Sequence, residues 1–167
     1  SARMSGLAVD PKTREGAKKF LKLASAKSKH GGGFSYTPDA APNISMTSVG
    51  LLCSQYMGVK RNDPPMVEGL GMLMRAMPQK NRGRNLYYWY YGTQVMHNLP
   101  GPEWDAWNRN MRRILIESQV KEGCATGSWD PLKPVADSHG DTGGRLMITS
   151  LSTLTLEVYY RYLPLYK

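Results

Sequence analysis

With 167 residues, 41 % apolar and 21 % charged, the chain is long enough for one domain with a real core, and its composition is that of an ordinary globular protein. The formal charge of +9 suits an anionic partner, but the basic residues are spread over several segments, the pattern of solvated helix faces. No apolar run approaches the roughly 18 to 20 residues of a membrane span, and no secretory signal is legible. Cys53 and Cys124 are too few for a disulfide framework and lack the paired spacing of a zinc site.

Residues 1–14 read as a loose lead-in and 15–167 as a single repeat domain. Within the lead-in, Asp10-Pro11 is a helix start, an N-cap followed by proline at the first helical position. From there to Lys27, Ala17, Phe20, Leu21, Leu23 and Ala24 share one face opposite lysines, which predicts an amphipathic surface helix with its apolar face buried. Gly31-Gly32-Gly33 ends it. A loop with Pro38 and Pro42 leads to a second helix over 44–57, apolar nearly all round and studded with small residues, hence buried on most sides.

Asn62-Asp-Pro-Pro65 opens a third helix to about Met77. Arg82 and Arg84 fall in a polar loop. The aromatic run Tyr87-Tyr-Trp-Tyr-Tyr91 could be a strand by periodicity, but it continues without alternation to His97, and a lone strand would lack a partner. It is predicted helical. After the Asn98–Pro102 turn, a long helix spans about 103–121 with Trp104, Trp107, Met111, Ile114 and Leu115 on one face. A last apolar helix runs from about Leu146 to Tyr162. The order is all-α, six helices in three hairpins, each pairing an amphipathic first helix with a more apolar second one. Stacked, the second helices would form an inner layer and the first an outer one.

Part of the chain recurs. Lys29-His-Gly-Gly-Gly33-Phe34-Ser-Tyr36 and Gln119-Val-Lys-Glu-Gly123-Cys-Ala-Thr-Gly127-Ser-Trp129 share a basic helical run, a glycine turn and an aromatic. Each then leads through a polar loop into an apolar helix. Gly32 and Gly127 are 95 residues apart, Thr47 and Thr149 102. Two periods of about 48 to 51 residues would account for both.

Gln119-x3-Gly123-x3-Gly127-Ser-Trp129 resembles the Gln-Trp motif of the squalene cyclase and prenyltransferase repeat. Tyr87–Gly92, Gly127–Pro131 and Leu156–Tyr166 also resemble segments of bacterial proteins carrying that repeat. The resemblance implies an α/α-toroid-like arc, with Gln119, Gly123, Gly127, Trp129, Gly33 and Phe34 as structural motif residues. The Asp-x-Asp-Asp acid motif of the cyclases, the Gly-Cys-Gly-Glu-Gln thioester motif and the prenyltransferase zinc ligands are not found. A full toroid has about twelve helices, so half a ring leaves inner apolar surface to be closed by the rest of a longer parent chain or a second copy.

Asp137-Ser-His139-Gly-Asp141 is the dense ionisable cluster and the weak catalytic candidate; its alternative is a capped, solvated loop. No metal or cofactor is expected. Tyr87, Tyr90 and Tyr91 share a helix face and could line an apolar or carbohydrate-binding cavity, or simply fill the core. Phe20, read as buried, is the lone aromatic among the lysines of the first helix, so nucleic acid is not an expected partner. Three functions remain open: a non-catalytic repeat module binding a partner or apolar ligand on its inner face, a divergent terpenoid cyclase or prenyltransferase using Asp137 or Asp141, and a basic surface for an anionic polymer. The compartment is open too: the missing initial Met suits a fragment, exported or belonging to a larger membrane-attached protein.

Overall fold

Proline or a capping asparagine opens each of the first five helices. In the computed structural model, which describes residues 5–81 and 83–161, α1 (Pro11–Ala24), α3 (Pro64–Arg75) and α5 (Pro102–Ser118) begin at proline, whose missing N–H is one the first turn would leave unbonded anyway. The helices α2 (Ile44–Tyr56) and α4 (Leu86–His97) are capped by Asn43 and Asn85, whose side chains accept from the N–H groups of Met46 and Tyr88 at 2.9 Å each. α6 (Gly140–Leu156) and the short α7 (Val158–Arg161) complete an all-α chain of seven helices among the described residues. α6 is two helical stretches joined at a kink: a short one opens at Gly140, and the long one follows Gly144, close to the expected start at about Leu146. The φ of 60° and ψ of -169° at Gly144 are adopted without strain only by glycine. Arg82 and Tyr162 to Tyr166 lie outside the described residues.

α4 sits between α2 and α6, and these three form one layer. α3 packs on α2 and α5 on α4, so each outer helix leans on the inner helix before it. Glycines set the spacing. A Cβ on Gly69 of α3 would lie 2.5 Å from Leu51 of α2, and one on Gly92 of α4 would lie 2.9 Å from the Trp107 ring of α5. These contacts place Leu51 and Gly92 on the outward face of the layer. Trp89, Trp107, Leu51, Met66, Leu73, Met111 and Leu115 are fully buried between the layers. Trp107 donates its indole N–H to Thr93 at 2.9 Å, and Gln55 bridges the Val95 carbonyl and the Asn98 amide. These buried polar groups are thereby partnered, as a dry interior requires, whereas His97 Nδ1 and Ser152 Oγ are buried without a hydrogen-bond partner.

The recurring turn is built twice with one hydrogen bond. The N–H of Phe34 donates to Thr47 of α2 at 3.1 Å, and the N–H of Trp129 donates to Thr149 of α6 at 3.2 Å. Each aromatic is buried, 4 % and 5 % exposed. Phe34 lies flat against Gly50, where any Cβ would meet its ring at 2.2 Å. Trp129 donates its indole N–H to the Leu115 carbonyl at 2.8 Å. An antiparallel bridge joins Gln119 to Trp129, and the Gln119 amide closes the turn on the Gly127 carbonyl at 2.9 Å. Gly123 and Gly127, at φ 76° and 84°, occupy the left-handed region the turn demands. In the first copy, Gly33 is wedged between Ser28, Pro42 and Met72.

Two expectations fail at the surface. Phe20 is 52 % exposed and Leu23 47 %, so α1 buries only the Ala17, Leu21 and Ala24 part of its expected apolar face. α1 is fastened mainly at its end, where Leu21 packs against the core, Ala24 and Ser25 are buried, and Ser35 bonds the Ala24 carbonyl twice. Arg84, read as a solvated loop charge, is 6 % exposed.

Candidate functional site

The inner helices start at one end of their layer, and the loops entering them meet there. Between those starts lies a pocket of about 560 Å³. Its walls take one large side chain from each inner helix: Met46 of α2, Tyr87 of α4 and Met147 of α6. On α2 and α4, Met46 and Tyr87 lie opposite the face that meets α3 and α5, five residues from Leu51 and Gly92 respectively. Tyr36, 75 % exposed, stands at the mouth. The rim is polar and uncharged or basic: Asn43, Ser45, Asn85, Ser138 and His139, with no carboxylate among the lining residues. Asn85 and Ser45 tie α4 to α2 through a 3.2 Å amide-to-hydroxyl bond. The positive ends of the inner helices point toward this space, though the Asn side chains already satisfy N–H groups there.

Of the three candidate tyrosines, Tyr87 alone lines the pocket. Tyr91 packs on Tyr87 with ring centroids 4.8 Å apart, and Tyr90 on Tyr91 at 5.0 Å, so they buttress it from behind. Tyr88, pointing the other way, is buried and donates to the Ala76 carbonyl at 3.0 Å, ending the α3 turn. Burial pushes its phenol pKa well up.

The candidate acids part company. The carboxylate of Asp137 is buried and turned away from the pocket. One oxygen accepts from the Leu86 N–H at 2.8 Å, at the start of α4, and lies 3.7 Å from Arg84 Nε; the other accepts from the His139 N–H at 2.9 Å. Arg84 spends its remaining donors on the carbonyls of Asp130, Lys133 and Val135. Desolvation lowers the guanidinium pKa, opposed by the charges of Asp137 and Asp130. Arg84 is thus the post on which the loop before α6 is wound, and Asp137 is its counter-ion and a cap for α4. His139 is exposed at the pocket, edge-on to Tyr87 at 5.9 Å. Asp141 is exposed and does not line the pocket. Among the described residues no group of three His, Cys, Asp or Glu side chains is placed to hold a metal ion.

Sequence reasoning missed Tyr36, Met46, Met147 and the capping asparagines as lining residues. Their one signal was position: Asn43, Met46 and Asn85 lie at the starts of α2 and α4, Tyr36 in the loop before α2, and Met147 just past the Gly144 kink of α6. Compared with family models, curated proteins and solved structures, the chain matches none. The likeness to the squalene cyclase and prenyltransferase repeat therefore rests on its residues.

Proposed function

We propose that the chain is a non-catalytic helical-repeat module of the squalene cyclase and prenyltransferase type, holding an apolar ligand or an apolar partner side chain on the inner face of the α2, α4 and α6 layer. The observation that carries this reading is the pocket walled by Met46, Tyr87 and Met147, one from each inner helix. Its volume falls within the range of small-molecule sites, and its apolar walls with a few convergent polar groups match their usual chemistry. The rival cyclase reading needs a carboxylic acid aimed at the ligand. Asp137 is engaged with Arg84 and α4, and the rim carries no carboxylate, which favours binding over acid catalysis. In this reading the inner layer is an arc of an α/α toroid, completed by a parent chain or a second copy.

The test uses farnesol, a neutral apolar alcohol, displacing 1-anilinonaphthalene-8-sulfonate from the protein. Tyr87→Ala and Met147→Asn should each weaken farnesol about tenfold, the loss of roughly one well-buried contact. Unchanged farnesol affinity in both variants would refute the pocket as the site. Cyclised or prenylated product from an isoprenoid diphosphate, lost in Asp141→Asn, would favour the rival.

A further inference from the structure

The least embedded element is also the most basic. Residues 5–30 hold seven Lys or Arg against two Asp or Glu, more than half of the chain's excess positive charge. On α1, Lys12, Lys18, Lys19 and Lys22 are all exposed, and of these only Lys18 has an acidic partner among the described residues, Glu15 at 2.9 Å. Beside them, Phe20 and Leu23 stand one turn apart and are about half exposed, and Leu7 before the helix is 64 % exposed. Among the described residues the body leaves these side chains about half uncovered, because Ala17, Leu21 and Ala24 face inward and the helix is fastened at Ala24 and Ser25.

We propose that α1 is an interfacial helix that docks this protein on an anionic lipid surface. Lysine stems lie along the headgroups with their ammonium groups on the phosphates, while Phe20 and Leu23 enter the boundary of the acyl chains. The pairing of exposed lysines with an exposed aromatic and leucine is what distinguishes this surface from a polyanion site. A nucleic-acid surface would be expected to offer arginine forks and stacking aromatics, whereas α1 has a single arginine, the half-buried Arg14. Two apolar side chains alone hold a protein weakly, so the docking is reversible and needs the negative surface. It does not depend on the inner pocket.

The whole protein should co-sediment with vesicles of phosphatidylcholine mixed with phosphatidylglycerol and stay in solution with phosphatidylcholine alone. Each lysine changed to glutamine among Lys12, Lys19 and Lys22 should weaken partitioning roughly fivefold at low salt. Phe20→Ser with Leu23→Ser should weaken it at least about tenfold with every charge retained. These side chains are exposed, so an unchanged melting temperature and unchanged farnesol binding would show that the double variant is folded and the inner pocket intact. The proposal is overturned by absent sedimentation with the anionic vesicles, or by full binding of the double variant, which would leave a charge effect only. It is overturned as well if the double variant turns a dimer into a monomer in analytical ultracentrifugation, making a second copy the occupant, or if the protein binds RNA and not the vesicles.

Discussion

Trp129→Ala tests whether the second glycine turn is structural. The ring is 5 % exposed, and its N–H donates to the Leu115 carbonyl near the end of α5. Truncating a buried tryptophan costs about 3 to 5 kcal/mol. The Leu115 carbonyl keeps the Gln119 N–H at 3.1 Å, so it is not orphaned, and the lost indole bond accounts for only about 1 kcal/mol of the total. At about 2 to 4 °C per kcal/mol for a domain of this size, a loss of about 4 kcal/mol lowers Tm by about 8 to 16 °C. Urea unfolding followed by circular dichroism at the helix band avoids the changed tryptophan signal. Trp129→Phe, which keeps most of the ring and loses the donor, should fall within about 1 to 2 kcal/mol of the parent. If Trp129→Ala lies within about 1 kcal/mol, the turn does not clamp α5 to α6 and the reasoning fails.

Asp137→Ala leaves the Arg84 guanidinium buried without its counter-ion and should destabilise by about 3 to 5 kcal/mol. A double-mutant cycle with Arg84→Met should give a clearly favourable coupling, and simple additivity of the two losses would mean the pair is inert. Glu68 of α3 supports the first glycine turn, its carboxylate accepting from Ser28, His30 and Gly32 at 2.8 to 2.9 Å. Desolvation raises its pKa, but the hydrogen bonds from Gly32, Ser28 and His30 outweigh it and the net shift is downward. A carboxyl depressed in the folded state stabilises above its unfolded pKa, and that stability is lost as pH falls through the folded value. The parent should therefore lose stability below about pH 4.5 more steeply than Glu68→Gln, as measured by urea midpoints down to pH 3; parallel curves would exclude the linkage. Exposed Cys124 should react with a disulfide reagent at neutral pH well before Cys53, whose thiol is half-buried and pushed up by desolvation. The reverse order, read by mass spectrometry of the labelled peptides, would refute this placement of the two thiols.

Much of the helical plan was legible because local signals carried it. Aspartate before proline marked α1 and α3, a Pro-Gly-Pro turn marked the approach to α5, and near-continuous apolarity marked α2. The aromatic run resolved as a helix because it continues without alternation and a lone strand would lack a partner. The pairing of Thr47 with Thr149 was visible as a residue match, and the structure gives it a cause, a hydroxyl accepting the N–H of the turn aromatic. Arg84 was illegible because Asn81-Arg-Gly-Arg84 looks like any solvated turn. Its burial is decided by carbonyls some 46 to 51 residues away. The expectation for Phe20 failed for the opposite reason. Periodicity finds an apolar face but not whether anything covers it. The pocket escaped because its walls come from three helices, and their convergence depends on lateral packing that no single segment records.

The central position of α4 has a consequence for how the molecule opens. α2, α5, α6 and α7 all pack against it, whereas α1 is fastened at one end. Amide protons of α4 can meet solvent only when both flanks have come apart, so their exchange follows global unfolding. Those of the first turns of α1 are free to exchange through local fraying, at little expense to the rest. The protein thus carries two tiers of protection, with its rigid aromatic spine at the top and its most charged helix at the bottom.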